Sequence, residues 1–232
     1  MARKTPSDGG RKAASRPPVS RERVLAAAMA IADERGVSAV TMREVASRLG
    51  VEAMSLYNHV ANKDDILDGL VDLVIEQVDL PSGGDDWREA MRRRALSARQ
   101  VFGRHPWAPL LLDSRQSSGP ARLRYYDWVL GTLMSAGFLL DDAAHAFSLL
   151  DSYIYGFGIQ QSNMMAGGEA SPEEMAAAIL VHIPPEVYPS LHRMAAQAMQ
   201  TGYDAETDFD FGLTIILDGL ERMLRERRGG PA

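Results

Sequence analysis

The chain contains no cysteine among its 232 residues. Disulfides, thiol nucleophiles and cysteine-ligated zinc are therefore excluded. It also lacks an apolar run near the roughly 18–20 residues needed to cross a bilayer. The N-terminus is basic and polar with no hydrophobic stretch behind it, so it does not read as a secretory signal. The expectation is a cytoplasmic chain with no membrane partner. GxSxG, GxGxxG and P-loop patterns are missing, and the five histidines (59, 105, 145, 182 and 192) show no HExxH-like pairing. Asp141 and His145 share a helix face at i, i+4, a spacing found far more often in surface pairs than in metal sites. Nothing assembles a nucleophile with a base, so no catalytic residue, metal or cofactor is expected. No stretch alternates as a half-buried strand does, and no repeat of about 20–50 residues is present.

What is present suits a soluble globular protein: 46% hydrophobic and 24% charged residues, with a net charge of −6. The charge is unevenly spread. Residues 1 to 63 carry eleven Lys or Arg against six acids, and the rest carries fourteen against twenty-five. A basic head on an acidic body is a nucleic-acid signal. The plainer reading is a solvated tail, since four of those net positives lie in residues 1–19.

Residues 1–19, rich in Gly, Pro, Ser and basic side chains, read as a disordered arm. Ser20 then caps a helix carrying Val24, Ala27, Ala28 and Ile31 at helical spacing, and Gly36 ends it. Thr41 caps a second helix, with Glu44 completing a capping box. A third is expected over 53–60. Asn62 caps a fourth running to about Val78, with Asp64 and Asp65 at its positive end. "DLPSGGDD" at 79–86 breaks the pattern. Helices are then expected at about 86–103, 106–114, 119–137, 139–165, 172–182, 184–201 and 205–228. The predicted fold is all-α: an N-terminal three-helix helix-turn-helix head over 20–65 and a larger C-terminal helical bundle over 66–228 that dimerises and holds an effector.

The stretch "TMREVASRLGVEAMSLYNHV" at 41–60 has the parts of a helix-turn-helix elbow. Ala46 is small where the second helix crosses, and Gly50 tolerates positive φ. Val45, Leu49, Val51 and Leu56 lock the pair. The outer residues Ala53, Met54, Ser55, Tyr57, Asn58 and His59 are left free to enter a major groove. Ser and Asn bond base edges or phosphates, and Met or Ala touches a thymine methyl. Tyr57, His59 and Lys63 suit phosphate, and Arg43 can reach a guanine or a phosphate. Such elbows also occur in proteins that never touch DNA. The basic bias and the polar outer face favour the DNA reading.

"TMREVASRLGVEAMSLYNHVANKDDILDGL" closely resembles the DNA-binding head of the tetracycline-repressor (TetR) family of bacterial transcription regulators. Leu56-Tyr57, His59-Val60, Asn62-Lys63 and Leu67-Asp68 fall where that family's motif expects them. The resemblance is strongest over 20–70. It continues through "DDWREAMRRRALSARQVFGRHP", "LMSAGFLLDDAAHAFSLLDSYIYGFG" and "DFDFGLTIILDGLERML", which look like core helices of the branch holding the tetracycline repressor itself. It implies a homodimer that binds a double-stranded, palindromic DNA operator, with a pocket for a small-molecule effector in the C-terminal region. By matching positions it implies DNA contacts from Thr41, Met42, Arg43, Ala53, Met54, Ser55, Tyr57, Asn58, His59 and Lys63. Tetracycline-binding members carry a His at the end of the connecting helix and an Asn and a Phe on the next. Here "EQVDLP" and "EAMRRRALSA" have none of these, which implies a different effector.

In the last helix Phe209, Leu213, Ile216, Leu217, Leu220 and Leu224 form one apolar stripe, and Phe211 and Ile215 add another. One can face the chain's own core and the other a twin subunit, with Gly212 and Gly219 permitting close approach. Phe147, Leu150, Ile154 and Phe157 of helix 139–165 are offered likewise, giving a four-helix interface. Phe102, Trp107, Tyr125, Trp128, Tyr153, Phe157 and Met164 are candidates to line an apolar ligand pocket, with Gln160 as a polar contact. Each alone reads better as core packing. The segment 163–172 is expected to gate the pocket. Two alternatives stand beside a ligand-responsive repressor: a helical binding protein or enzyme without DNA, and a DNA-binding regulator without ligand control.

Overall fold

The structure is a computed structural model and describes residues 18–81, 86–115, 119–166, 180–202 and 204–229, with positions 174, 177 and 178. The expected arm lies almost wholly outside the described residues, as do most of the expected helix at 172–182 and positions 167–172 of the expected gate.

Among the described residues there are ten α-helices and no strand. In the head these are α1 (Arg21–Arg35), α2 (Met42–Leu49) and α3 (Ala53–Leu56), with a 3-10 turn at Val37–Ala39. The helix α4 (Lys63–Glu76) connects head to body. The body holds α5 (Trp87–Arg104), α6 (Ala108–Ser114), α7 (Pro120–Ser135), α8 (Leu140–Ala166), α9 (Pro189–Thr201) and α10 (Ala205–Gly229).

Local chemistry sets the starts of the head helices. Ser20 Oγ accepts from the Arg23 amide at 3.3 Å, Thr41 Oγ1 from Glu44 at 3.1 Å and Asn62 Oδ1 from Asp65 at 2.9 Å. These caps satisfy amides that a helix start leaves unpaired. The capping box forms only in half, because the Glu44 carboxylate pairs with Arg35. A charged donor outcompetes an exposed backbone amide. The third helix is also shorter than expected. After Leu56 the chain tightens into turns, with the Tyr57 amide on Met54 O at 3.3 Å and the His59 amide on Leu56 O at 2.8 Å. This tucks Val60 into the core and releases Asn62 to cap α4.

Gly50 closes the elbow in the left-handed region, φ 68° and ψ 39°. Val24, Ala28 and Ile31 of α1 meet Val45, Ala46 and Leu56, all buried, while Leu49 and Val51 are half-buried. That small core joins the body's without a break, because α4 buries Ile66, Leu70, Val71, Val74 and Ile75. The expected head–body boundary at 65/66 thus falls inside one continuous helix.

In the body, α4 packs on α6 and α7, α8 on α5, α6 and α7, and α10 on α8 and α5. The expected stripe of α10 is its inner face: Phe209, Leu213, Leu217, Leu220 and Leu224 are buried and Ile216 is half-buried. The second apolar strip stays outside, with Phe211 68% and Ile215 55% exposed. On α8, Leu150 and Ile154 are buried in the chain's own core, and Phe147 and Phe157 pack against it. Its outward side is Leu149, Ser152 and Gly156 instead, with open space beside Gly156. Gly212 is used within the chain: a Cβ there would strike the Tyr153 ring, whose hydroxyl donates to Phe209 O at 2.9 Å. Gly219 faces open space.

Candidate nucleic-acid interface and effector-domain core

The outer edge of the elbow is polar and open. Met54 (76%) and Tyr57 (49%) are exposed, as are Thr41, Arg43 and Asn58. Met42, Ala53, Ser55, His59 and Lys63 are half-buried on the same edge. Ser55 Oγ donates to Glu52 O at 2.5 Å, so that hydroxyl is engaged in the turn. Nothing in the structure explains the exposed Glu52 carboxylate at the start of α3.

Pairing separates the head's cations. Arg21 bonds both Asp65 oxygens, at 2.6 and 3.0 Å, Arg48 grips Glu34, and Arg35 takes Glu44. The Arg21 guanidinium holds the Asp65 carboxyl below its ordinary value. Arg43 and Lys63 make no ion pair among the described residues. These two stand at the starts of α2 and α4, on either side of α3. An unpaired cation beside an exposed polar helix is what a phosphate contact needs.

Asp33 ties the head to the body. Its Oδ1 accepts from the Trp107 indole at 2.7 Å and lies 2.7 Å from His105 Nδ1. Gln77, just past α4, bonds the other ring nitrogen of His105. Arg115 reaches Asp68 of α4 at 2.5 Å, and the Arg122 amide donates to Asp72 at 3.0 Å. So α4 is held along its length by groups from the body.

Inside the body lies a polar cluster that the sequence reading missed. Arg94 of α5 is wholly buried. Its Nη1 donates to Tyr125 Oη at 2.6 Å and to Asp151 Oδ1 at 2.8 Å, and the Tyr125 hydroxyl donates to the same carboxylate oxygen at 2.9 Å. Burial pushes the Tyr125 and Tyr155 hydroxyls well above the ordinary phenol value, so both remain protonated. Arg94 Nε and Nη2, and the Tyr155 hydroxyl, have no hydrogen-bond partner among the described residues. Aromatic rings surround them: Phe102 is edge-on to Tyr155 at 5.7 Å, and Phe147 is edge-on to Tyr125 and Tyr126 at 6.4 and 5.1 Å. A signal was available. Arg94 shares the α5 stripe of Met91, Ala95 and Ala98 at helical spacing, a phase that buries it.

The expected pocket residues do not converge. Phe102 and Tyr125 border the Arg94 cluster. Tyr153 and Phe157 instead pack on Phe209, at 5.3 and 5.0 Å. Trp107 belongs to the head–body junction. The Trp128 indole donates to Pro81 O at 3.1 Å and lines an outer cleft of about 740 Å³ with Trp87, Asp127 and Arg225. Gln160 is exposed and Met164 half-buried. Among the described residues no group of His, Asp or Glu could hold a metal, and no helix is long and apolar enough to cross a membrane.

Comparison with known proteins follows the same division. Residues 24–70 match the family described as bacterial regulatory proteins, tetR family, and residues 80–224 match the tetracyclin repressor-like C-terminal domain. The chain belongs to the tetR family. It is 30% identical to the HTH-type transcriptional repressor DrrR1 of Streptomyces coeruleorubidus, over 94% of this chain and 83% of that protein. It is 32% identical to the class D tetracycline repressor of Escherichia coli, over 89% and 91%. The TetR family protein ActR of Streptomyces coelicolor, solved in complex with actinorhodin, superposes with a TM-score of 0.76 at 27% identity, covering 88% of this chain and 95% of ActR. As a tetR-family member the chain is a transcriptional regulator and not an enzyme. That family binds DNA operators and small-molecule effectors and works as dimers.

Proposed function

We propose that this chain is a cytoplasmic repressor that binds a palindromic operator as a homodimer and is released by a small, largely apolar effector. The observation that carries the DNA part is a pair of cations with no ion pair among the described residues, Arg43 and Lys63, flanking an exposed Met54, Tyr57 and Asn58. In this reading the head (20–65) reads the major groove with Ala53, Met54, Ser55, Tyr57 and Asn58. Thr41, Met42, Arg43, His59 and Lys63 set register on the backbone.

The exposed strip of Phe211 and Ile215 on α10, with the outer side of α8, supports pairing of two bodies (66–228). Two heads then address half-sites about 34 Å apart. The effector enters the body and moves α4, which the junction and Arg115 clamp. Effector must bind the DNA-free state more tightly, by about 1–3 kcal/mol for a 5- to 150-fold release. The ligand-bound structure of ActR supports this control.

The test is a gel shift with DNA from upstream of the chain's own gene. A retarded complex is expected with wild type and a much weaker one with Tyr57→Ala. Equal affinity for that variant would reject the placement of the reading edge.

A further inference from the structure

We propose that the effector is an aromatic carboxylic acid whose carboxylate docks on the free edge of Arg94 and on the Tyr155 hydroxyl. The inference deepens the reading above and rests on an effector entering the body.

The argument begins with the shape of guanidinium. Arg94 uses one nitrogen, Nη1, for both Tyr125 and Asp151. The two nitrogens left without partners, Nε and Nη2, share one edge of the plane and point two N–H groups the same way. A carboxylate presents two oxygens at the matching separation and accepts both bonds at once. The Tyr155 hydroxyl is a third donor. It sits one turn from Asp151 on α8 and feels the charges of Arg94 and Asp151. Four buried side-chain donors are unmet among the described residues, these three and Arg99 Nε, where buried polar groups are nearly always bonded. A ligand with two strongly accepting oxygens satisfies all three.

Asp151 does not fill this role, because it meets Arg94 at a single nitrogen on the other side. Tyr125 holds both of them, so the free edge keeps its orientation. The rings of Phe102, Tyr125, Tyr126, Phe147 and Tyr155 around the cluster favour a planar aromatic skeleton, which can add edge-on or tilted contacts to rings already so arranged. The acid arrives among helices packed on one another, so seating it shifts α5, α7 and α8. Because α7 packs on α4, that shift reaches the connecting helix.

The experiment uses the full chain and matched probes: benzoate, 2-naphthoate and anthracene-2-carboxylate, each beside its neutral primary amide, with decanoate as an aliphatic acid. Thermal unfolding and titration are read for wild type, Tyr155→Phe and the double variant Arg94→Met with Asp151→Leu. At least one aromatic acid is expected to raise the Tm and to bind about tenfold or more tighter than its amide, as hydrogen bonds to a charged group warrant. Tyr155→Phe removes a hydroxyl without a partner among the described residues, so the unliganded Tm should hold while the acid's affinity falls about tenfold and the amide's does not. The double variant, which removes both buried charges together, should fold and lose the preference for acid.

The proposal is overturned if no aromatic acid binds wild type, if amides or decanoate bind as tightly, or if Tyr155→Phe keeps the full preference. Operator affinity measured on the same protein separates the two readings. A chain that prefers the acid yet never shifts DNA sinks the regulator mechanism and leaves this site standing. A chain whose operator complex is released by neutral compounds, with no preference for acid, does the reverse.

Discussion

The head and the body of this regulator both pair charges at the surface, as the body does with Arg225 and Glu221, but the body also buries a pair. In the head every strong ion pair is at the surface, joining Arg21 to Asp65, Arg35 to Glu44 and Arg48 to Glu34, and all of these groups are at least a quarter exposed. What the head offers a partner is what those pairs leave over, Arg43 and Lys63. In the body Arg94 and Asp151 meet in the interior, and the unmet donors are interior too. A partner as large as DNA must be met outside, where water screens each charge and single contacts are weak. A small effector can be enclosed, where the same groups act far more strongly.

The comparison breaks most readily in the body. Arg94→Met alone leaves the Asp151 carboxylate buried and unpaired. It should lower the unfolding free energy by about 3–5 kcal/mol in urea denaturation, and adding Asp151→Leu should restore most of it. A loss under about 1 kcal/mol for the single change would mean that water reaches the cluster and screens its charges as it does those of the head.

The next effect is in the head's backbone. Gly50 at φ 68° resists any Cβ, so Gly50→Ala should destabilise the head by about 1–2 kcal/mol, read as a lower unfolding midpoint. Lys63→Ala should leave stability unchanged while flattening the slope of log affinity against log salt by about one. Arg48→Ala, which removes a cation already bound to Glu34, should leave that slope nearly unaltered. Equal effects from the two would erase the distinction between paired and unpaired cations.

The smallest effect concerns Asp65. Its carboxyl is held below the ordinary value first by the bond to Arg21, with the Ala61 amide adding to it. The stability it brings is complete above the ordinary value of 3.8 and is lost as pH falls through the lowered folded-state value. Arg21 is nearly half exposed, so screening limits the loss in Asp65→Asn to about 1 kcal/mol or less. The variant's deficit should shrink on acidification below that range.

Much of the head was legible because its determinants are local. Ser20, Thr41 and Asn62 cap their own helices, and Gly50 turns the chain within its own four atoms of backbone. The Glu44 carboxylate was misjudged because its rival partner, Arg35, comes from the neighbouring helix. The body resisted for the same reason. Arg92, Arg93 and Arg94 are adjacent letters, yet Arg92 reaches Thr214 of α10 at 2.7 Å, Arg93 reaches toward Asp79 at 3.4 Å, and Arg94 turns into the core. Successive residues on a helix point about 100° apart, and what lies in each direction is decided by other helices. Composition offers Trp107 and Trp128 as pocket aromatics, and composition carries no direction at all.

The sequence by itself determined most of the described helices, the caps at Ser20, Thr41 and Asn62, the elbow at Gly50 and the polar letters on the outer edge of α3, because each depends on neighbours within a few residues. Only the tertiary structure decided that Arg43 and Lys63 stay unpaired among the described residues, that α4 belongs to both cores, and that Arg94 meets Asp151 with one edge left open. Those outcomes depend on side chains far apart in the chain meeting at hydrogen-bond distance, and no local spacing encodes such a meeting.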